Sequence, residues 1–538
     1  MSKLNLVTRG IGAVALTATA ALAQPSIIAR TGDPAPGFEA GSSIIGFGSP
    51  VWNASGLAYV LATVEPISDA MPETALYRID QGQLDLVFRA SAGAPGDVVG
   101  LHAIAALPDG VGVIASKAND PGGPPTHEHT HGLISDDGFV AFANASDVGS
   151  DQAVSGRPFA ADGSRLWTLG NGTSLRDAAG ELAARGDVAP GADGELFFQF
   201  SLPVARQAGV AAFRAVVGPD PDLEPIEQTS REGIWRVIAG QLEAVVVESA
   251  SVRSLGSPAV NAHGNIAMVA RAMTPGEDEV DVVLLARGAS VVELGAEGDV
   301  TAVGTLKRML GSVHVGDGGD VFAYATLDGV VADANAGIFA FRTFSSPRPI
   351  VVEGDLVPGD AVGRAGMLRV RAITGWRIDD TGGVSALVEV DDVQTGELIG
   401  SGLLLADRSG SRRLVALAGQ TIGSVSLRSL VLPSAGALSQ DSLVAGGSRV
   451  PVLVELQDLG QAIIEVARPC AADLGRSDGD GVDGQVTLAD FVLYLDLWLT
   501  GDPRADWTTT GNAFARPDGV VDLSDFSVYL SGWSRGCP

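Results

Sequence analysis

Gly209, Gly264 and Gly319 stand 55 residues apart, and Gly383 follows in the same setting after 64. Each belongs to a turn that often holds Asn or Asp as well, and opens a run of small apolar residues: "ARQAGVAAFRA" at 205, "NAHGNIAMVARA" at 261, "GDGGDVFAYAT" at 316, "DDTGGVSALVE" at 379. Related stretches at 53 ("NASGLAYVLA"), 135 ("SDDGFVAFAN") and, degenerate, 439 ("SQDSLVAGG") bring the copies to seven. A repeat of this length holds about four short strands and their turns.

A second landmark precedes many copies: "RTGDPAPG" at 30, "SAGAPGD" at 91, "ARGDVAPG" at 184, "GAEGDV" at 295 and "VEGDLVPG" at 352. Between the landmarks run short β-branched segments such as "GIWRVIAG" and "LEAVVVES", and no long amphipathic helix interrupts them. Four strands per unit is the size of a propeller blade, and a closed ring of blades leaves few open sheet edges. The expected fold is an all-β propeller of six to eight blades, seven fitting the copies best, followed by a small α-helical domain. The second unit is about 24 residues too long; its excess, "LPDGVGVIASKANDPGGPPTHEHTHG", reads as a hairpin and loop standing off one face.

The boundaries follow from composition. The start, "MSKLNLVTRG" and then "IGAVALTATAALA", has the basic, apolar and A-x-A parts of a secretory signal, with cleavage expected after Ala23. Residues 1–23 are thus a leader, 24–468 the β-repeat domain and 469–538 a C-terminal module. The chain is expected to be secreted, extracellular or at the cell surface, with no membrane span. A formal charge of -29 repels nucleic acid and argues against such a partner. The two cysteines, Cys470 and Cys537, bracket the C-terminal module and can pair in an oxidising compartment.

The repeats resemble a family of secreted bacterial proteins with tandem N-x-x-G-x-x-A-F repeats joined to varied C-terminal anchors. That resemblance implies a surface or extracellular repeat domain whose ligand is open, and it carries over no catalytic residue.

The C-terminal module is a duplication. "DGQVTLADFVLYLDLWLTGDP" from 483 lies over "DGVVDLSDFSVYLSGWSRGCP" from 518 at an offset of 35. Calcium takes six to eight hard oxygen ligands from a loop with Gly at its sharp turn and a carboxylate at the helix start. In that scheme Asp483, the Gln485 carbonyl, Thr487 and Asp490 serve the first loop; Asp518, the Val520 carbonyl, Asp522 and Asp525 serve the second. The entering halves are lengthened, so Asp473, Asp478 and Asp480 compete for the first two positions of loop one, while loop two has Asp506. Two calcium sites are expected, the second weak or completed by water. Two Asp-Gly turns capping helices without metal are the competing reading. Leu488, Phe491, Leu495 and Trp498, and then Leu523, Phe526, Leu530 and Trp533, fall at helical spacing and would face each other.

These features resemble a dockerin, and more closely its variant with copies ending in "GDP" and "GCP". The resemblance implies paired EF-hand-type loops and docking to a cohesin-like or other surface anchoring protein. Leu488-Ala489 and Leu523-Ser524 replace the often hydroxylic partner-selecting pair and put a standard cohesin in doubt.

"THEHTHG" sets His127, His129 and His131 at alternate positions of a loop, a candidate for weak zinc or copper binding. No P-loop or C-x-x-C pair is present. The expected function is non-enzymatic: an exported binding or scaffold protein carried by a calcium-binding docking module. The alternative is a propeller-type polysaccharide-active hydrolase or lyase delivered to an extracellular complex by the same module.

Overall fold

The computed structural model describes residues 25–467, interrupted at turns and at 119–126, 145–165 and 433–448, and then 475–476, 479–480, 488–501, 505 and 521–535. The leader and both cysteines lie outside the described residues.

Among the described residues, eight antiparallel sheets succeed one another between 26 and 467. The fifth is typical. A two-piece inner strand, Val252–Leu255 and Ala259–Val260, pairs with Ile266–Met273, which pairs with Glu279–Arg287 and then the outer Ser290–Ala296. The second strand of each unit carries the small-apolar run, because it is covered on both faces and reads as near-continuous apolar sequence. Ile266, Ala267 and Met268 are fully buried there.

Neighbouring sheets pack face to face; among the described residues the second and third alone have no core cluster in common. Ala267 and Val283 of the fifth share a core with Val321 and Phe339 of the sixth. Phe322 and Ile338 of the sixth continue into Ala386 and Val388 of the seventh. The eighth packs on the first through Val452, Ile464, Val60 and Tyr77. The beginning of the chain completes that eighth sheet: Ser26–Arg30 pairs antiparallel with Gln461–Ala467, Ser26 opposite Glu465. Meander sheets packed in series, with first and last strands sharing one sheet, make a closed β-propeller.

Eight sheets, not seven, form the ring among the described residues. The supposed excursion of the second unit supplies two central strands, Gly110–Ala118 and His127–Ser135, between Val98–Leu107 and Gly138–Asn144. The stretch at 135 therefore forms the outer hairpin of the second sheet, and its inner hairpin joins Leu107 to Gly110. A third sheet, Leu166–Leu169, Ser174–Asp177 and Gly180–Ala184, follows; its sequence lacks the small-apolar run that marks the other units.

The Gly-Asp landmark is the connector between an outer strand and the next inner strand. In it Asp33, Asp187, Asp299 and Asp355 each accept the N–H three residues back through Oδ2, at 2.9, 2.8, 2.9 and 2.7 Å. The glycine before each has φ of 90–94°, a left-handed conformation that a side chain would strain. A fifth copy uses Gln420, whose Oε1 accepts the Leu417 N–H at 3.1 Å after Gly419 at φ 84°. The Pro of the landmark also has a partner: Pro36 and Pro190 carbonyls accept from the Tyr77 hydroxyl and the Trp235 indole N–H, both at 3.0 Å.

The described residues of the C-terminal part include two 13-residue helices, α1 (Leu488–Thr500) and α2 (Leu523–Arg535). Among the described residues neither is long and apolar enough to cross a membrane.

Candidate functional site

The two helices meet through their duplicated aromatic residues. Tyr494 and Tyr529, both fully buried, stack with centroids 3.8 Å apart and planes 1° from parallel. Around them Phe491 meets Trp533 at 5.4 Å, and its duplicate Phe526 meets Trp498 at 5.3 Å. The Phe491–Tyr529 and Tyr494–Phe526 contacts are likewise both 6.3 Å. Equal distances for exchanged partners show that the copies pack as a quasi-twofold pair. Val521 packs against this core.

Two expected core residues face solvent instead. Leu488 and Leu523 are each 68% exposed, because the buried face of each helix is set by its tyrosine. On α1 the outward row continues through Val492 and Leu499, at 57% and 74% exposure.

Asp490 and Asp525 are wholly buried in the first helical turns. Asp525 accepts the Asp522 N–H at 2.7 Å, while Asp522 accepts the Ser524 N–H at 2.7 Å. This reciprocal arrangement is a capping box, and it satisfies two backbone donors that a helix start leaves open. The Asp522 carbonyl also accepts the Trp498 indole N–H at 2.6 Å, tying the second loop to the first helix. Buried carboxylates stand at both helix starts, and a carboxylate oxygen is a hard donor of the kind calcium takes. Asp473, Asp478, Asp483, Gln485, Thr487, Asp506, Asp518 and Val520 lie outside the described residues, as does the Asp480 side chain. Asp490, Asp522 and Asp525 are the ligand candidates with a described setting.

His127, His129 and His131 occupy a strand rather than a loop, opposite Ala118, Ser116 and Ile114. Alternate strand positions share one sheet face, so the regular spacing reflects β-structure; the three side chains lie outside the described residues.

In the propeller, burial shifts several titrations. Glu248 is held above the usual carboxylate range, first by desolvation and also by the neighbouring Glu232, whose N–H it accepts at 2.7 Å. Arg214 lies 3.6 Å from Glu232. Glu353 is likewise raised by burial, with the Tyr324 hydroxyl 3.5 Å away. Tyr324 is pushed up to about 12 by its own desolvation and by Glu353. His314 is buried edge-on against Trp376 at 4.6 Å, and desolvation, aided by Arg377, pushes it down to about 3. It is a neutral core histidine. Carboxylates with raised titration are functional candidates wherever a second carboxylate stands beside them, as Glu232 stands beside Glu248.

A family model described as a family of unknown function, DUF7453, matches residues 128–303, from within the second sheet to the first strand of the sixth. No curated protein matches the chain. Among solved structures, the β-propeller domain of the Trilobed protease from Pyrococcus furiosus is 12% identical, with 69% of this chain and 95% of that one covered at a TM-score of 0.31. Oligogalacturonate lyase from Vibrio parahaemolyticus is 10% identical, with 80% and 98% covered at 0.38. An α-L-arabinanase from Penicillium chrysogenum is 10% identical, with 83% and 98% covered at 0.25. The propeller assignment rests on strand order and ring closure in this chain.

Proposed function

We propose that the protein is a non-enzymatic binding or scaffold protein, exported to the cell surface or beyond. Its propeller displays a binding face, and its C-terminal helix pair is a dockerin-like module of the G-C-terminated type that binds calcium and docks to a partner. The observation that carries this reading is the outward apolar row of α1, Leu488, Val492 and Leu499, on the side away from the tyrosine core. Such a row on a two-helix module marks an interaction site. Its duplicate on α2 begins with exposed Leu523 and continues with polar Ser527, so a partner would engage the copies unequally. A cohesin-like or other surface anchoring protein is the partner class this fits.

Calcium would be held by Asp483, Thr487 and Asp490 with the Gln485 carbonyl, and by Asp518, Asp522 and Asp525 with the Val520 carbonyl. Asp473, Asp478, Asp480 and Asp506 are the candidates for the remaining positions. The test is calorimetric calcium titration of the chelator-stripped mature chain beside an Asp490→Asn/Asp525→Asn variant. Saturable uptake that the variant loses is expected; no uptake, or equal uptake in both, overturns the calcium assignment. Weak zinc or copper binding at His127, His129 and His131 is a separate proposal, tested by the same titration with those ions.

A polysaccharide-active hydrolase or lyase is the second reading, and the Glu232–Glu248 pair favours it. One raised carboxyl beside another is the arrangement that acid–base cleavage of glycosidic bonds uses. Turnover of a polysaccharide that Glu248→Gln abolishes would establish it; a chain inert on neutral and acidic polysaccharides sinks it.

A further inference from the structure

Seven inner strands of the ring share one irregularity. Pairing with the second strand slips by a residue, as between Leu306 and Arg308 in the sixth sheet and between Val370 and Ala372 in the seventh. The residues skipped are Arg253, Lys307, Arg371 and Arg428 in the fifth to eighth sheets. Ile45, His102 and Phe198 are their counterparts in the first, second and fourth.

A bulge leaves its extra residue out of the ladder and re-aims the side chain. Here it also explains a spacing: the core residues on either side stand three apart, as Leu306 and Met309 or Leu427 and Leu430 do, instead of two. Both faces of a blade are covered by its neighbours, so a mid-strand residue of the inner edge has only the axial channel open to it. Arg253, Lys307, Arg371 and Arg428 are all exposed at that position.

Their charge is largely uncompensated. Lys307 reaches Asp328 at 3.1 Å, but Arg253, Arg371 and Arg428 have no hydrogen-bond or ion-pair partner among the described residues. In a chain of charge -29, acidic partners are plentiful; Arg369, two residues before Arg371, binds Asp391 through two hydrogen bonds. One side of the channel is therefore cationic, and the other offers Ile45, 43% exposed, while Phe198 there is buried.

We propose that the axial channel binds a multivalent oxyanion: a ligand with carboxylate or phosphate groups along one side and an uncharged face on the other. Low-dielectric walls focus the field of the four cations. The guanidinium forks of Arg253, Arg371 and Arg428 match the geometry of carboxylate or phosphate, and Lys307 adds a point charge. A sugar acid and a sugar phosphate both carry this chemistry. The site is independent of the C-terminal docking reading and of the Glu232–Glu248 pair.

The test is calorimetric titration of the mature chain with trigalacturonate, fructose 1,6-bisphosphate and, as neutral control, maltotriose. Arg253→Gln/Arg371→Gln/Arg428→Gln is compared with Arg78→Gln, whose side chain lies at the outer side of the first sheet beside Asp85. Saturable binding of at least one anion is expected, weakened about tenfold or more in the triple variant and unchanged in Arg78→Gln, with affinity falling as salt rises. Binding of trigalacturonate alone identifies a sugar acid, and of the bisphosphate alone a phosphate. A matching Lys triple variant guards against a folding defect: it keeps the charge, loses the forks, and should bind between the other two. No binding of either anion, or affinity unchanged in the Gln triple variant, overturns the proposal.

Discussion

Tyr494 and Tyr529 stack almost in parallel, 3.8 Å between centroids, at the point where the two halves of the duplicated module meet. Each residue is the other's counterpart at an offset of 35, so the interface is one surface used twice. Truncating either tyrosine removes a fully buried ring together with the stacking contact. Tyr494→Ala or Tyr529→Ala should each lower module stability by about 3 kcal/mol or more, whereas Val492→Lys should stay within about 0.5 kcal/mol. Urea unfolding followed by Trp498 and Trp533 fluorescence separates these outcomes.

The capping box at α2 gives a way to weigh cap against metal ligand. Asp522→Ala should cost about 1 kcal/mol through the lost cap. If Asp522 serves only the helix, that cost is the same in chelator and in calcium. A loss that appears only with calcium assigns Asp522 to the ion.

Asp33 and Asp355 occupy the same connector position in different surroundings. Asp355 is buried and pairs with Arg412 at 2.7 Å, Arg412 itself being mostly covered, while the Arg30–Asp33 pair is exposed. Asp355→Ala leaves a covered guanidinium without its carboxylate and should cost about 3 kcal/mol or more. Asp33→Ala should cost about 1 kcal/mol. Thermal unfolding of the two variants side by side measures the difference.

His314 makes the propeller acid-sensitive. Its folded value of about 3 lies below the ordinary imidazole value of 6.5, so between those limits the unfolded chain binds a proton that the folded chain refuses. Stability from this group is full above about pH 6.5 and falls with pH by up to about 1.4 kcal/mol per unit towards pH 3. His314→Gln should flatten that part of the pH profile of unfolding, at some cost in packing against Trp376. An unchanged slope would show that His314 is already accessible to protons in the fold.

The repeat, its strand composition and the helix pair were legible in the sequence because periodicity and turn chemistry are local. The eighth sheet was not, for "LWTL" and "SLRD" carry too few apolar residues to announce strands without their neighbours. Nor was the role of "THEHTHG", whose alternation is that of a strand and whose flanking Pro and Gly suggested a loop. Gln420 was hidden because an amide replaces the carboxylate in a turn that needs only an acceptor. The bulged cations carry a local signal, apolar residues three apart with Lys or Arg directly after the first, as in "VRSL", "LKRM" and "LRSL". The calcium loops were legible as a pattern, but which aspartates fill their first positions depends on loop conformation.

Ring closure by Ser26–Arg30 has a kinetic consequence. The strand that seals the propeller is made first, yet the neighbours it needs come some 430 residues later, as the hydrogen bond from the Gln461 N–H to the Thr31 hydroxyl shows. Until Gln461–Ala467 is in place, the eighth sheet keeps an open edge able to pair with another chain. Contacts this distant along the chain also form slowly. Assembly of the ring is therefore a race between the chain's own two ends and the ends of its neighbours, and dilution favours the closed monomer.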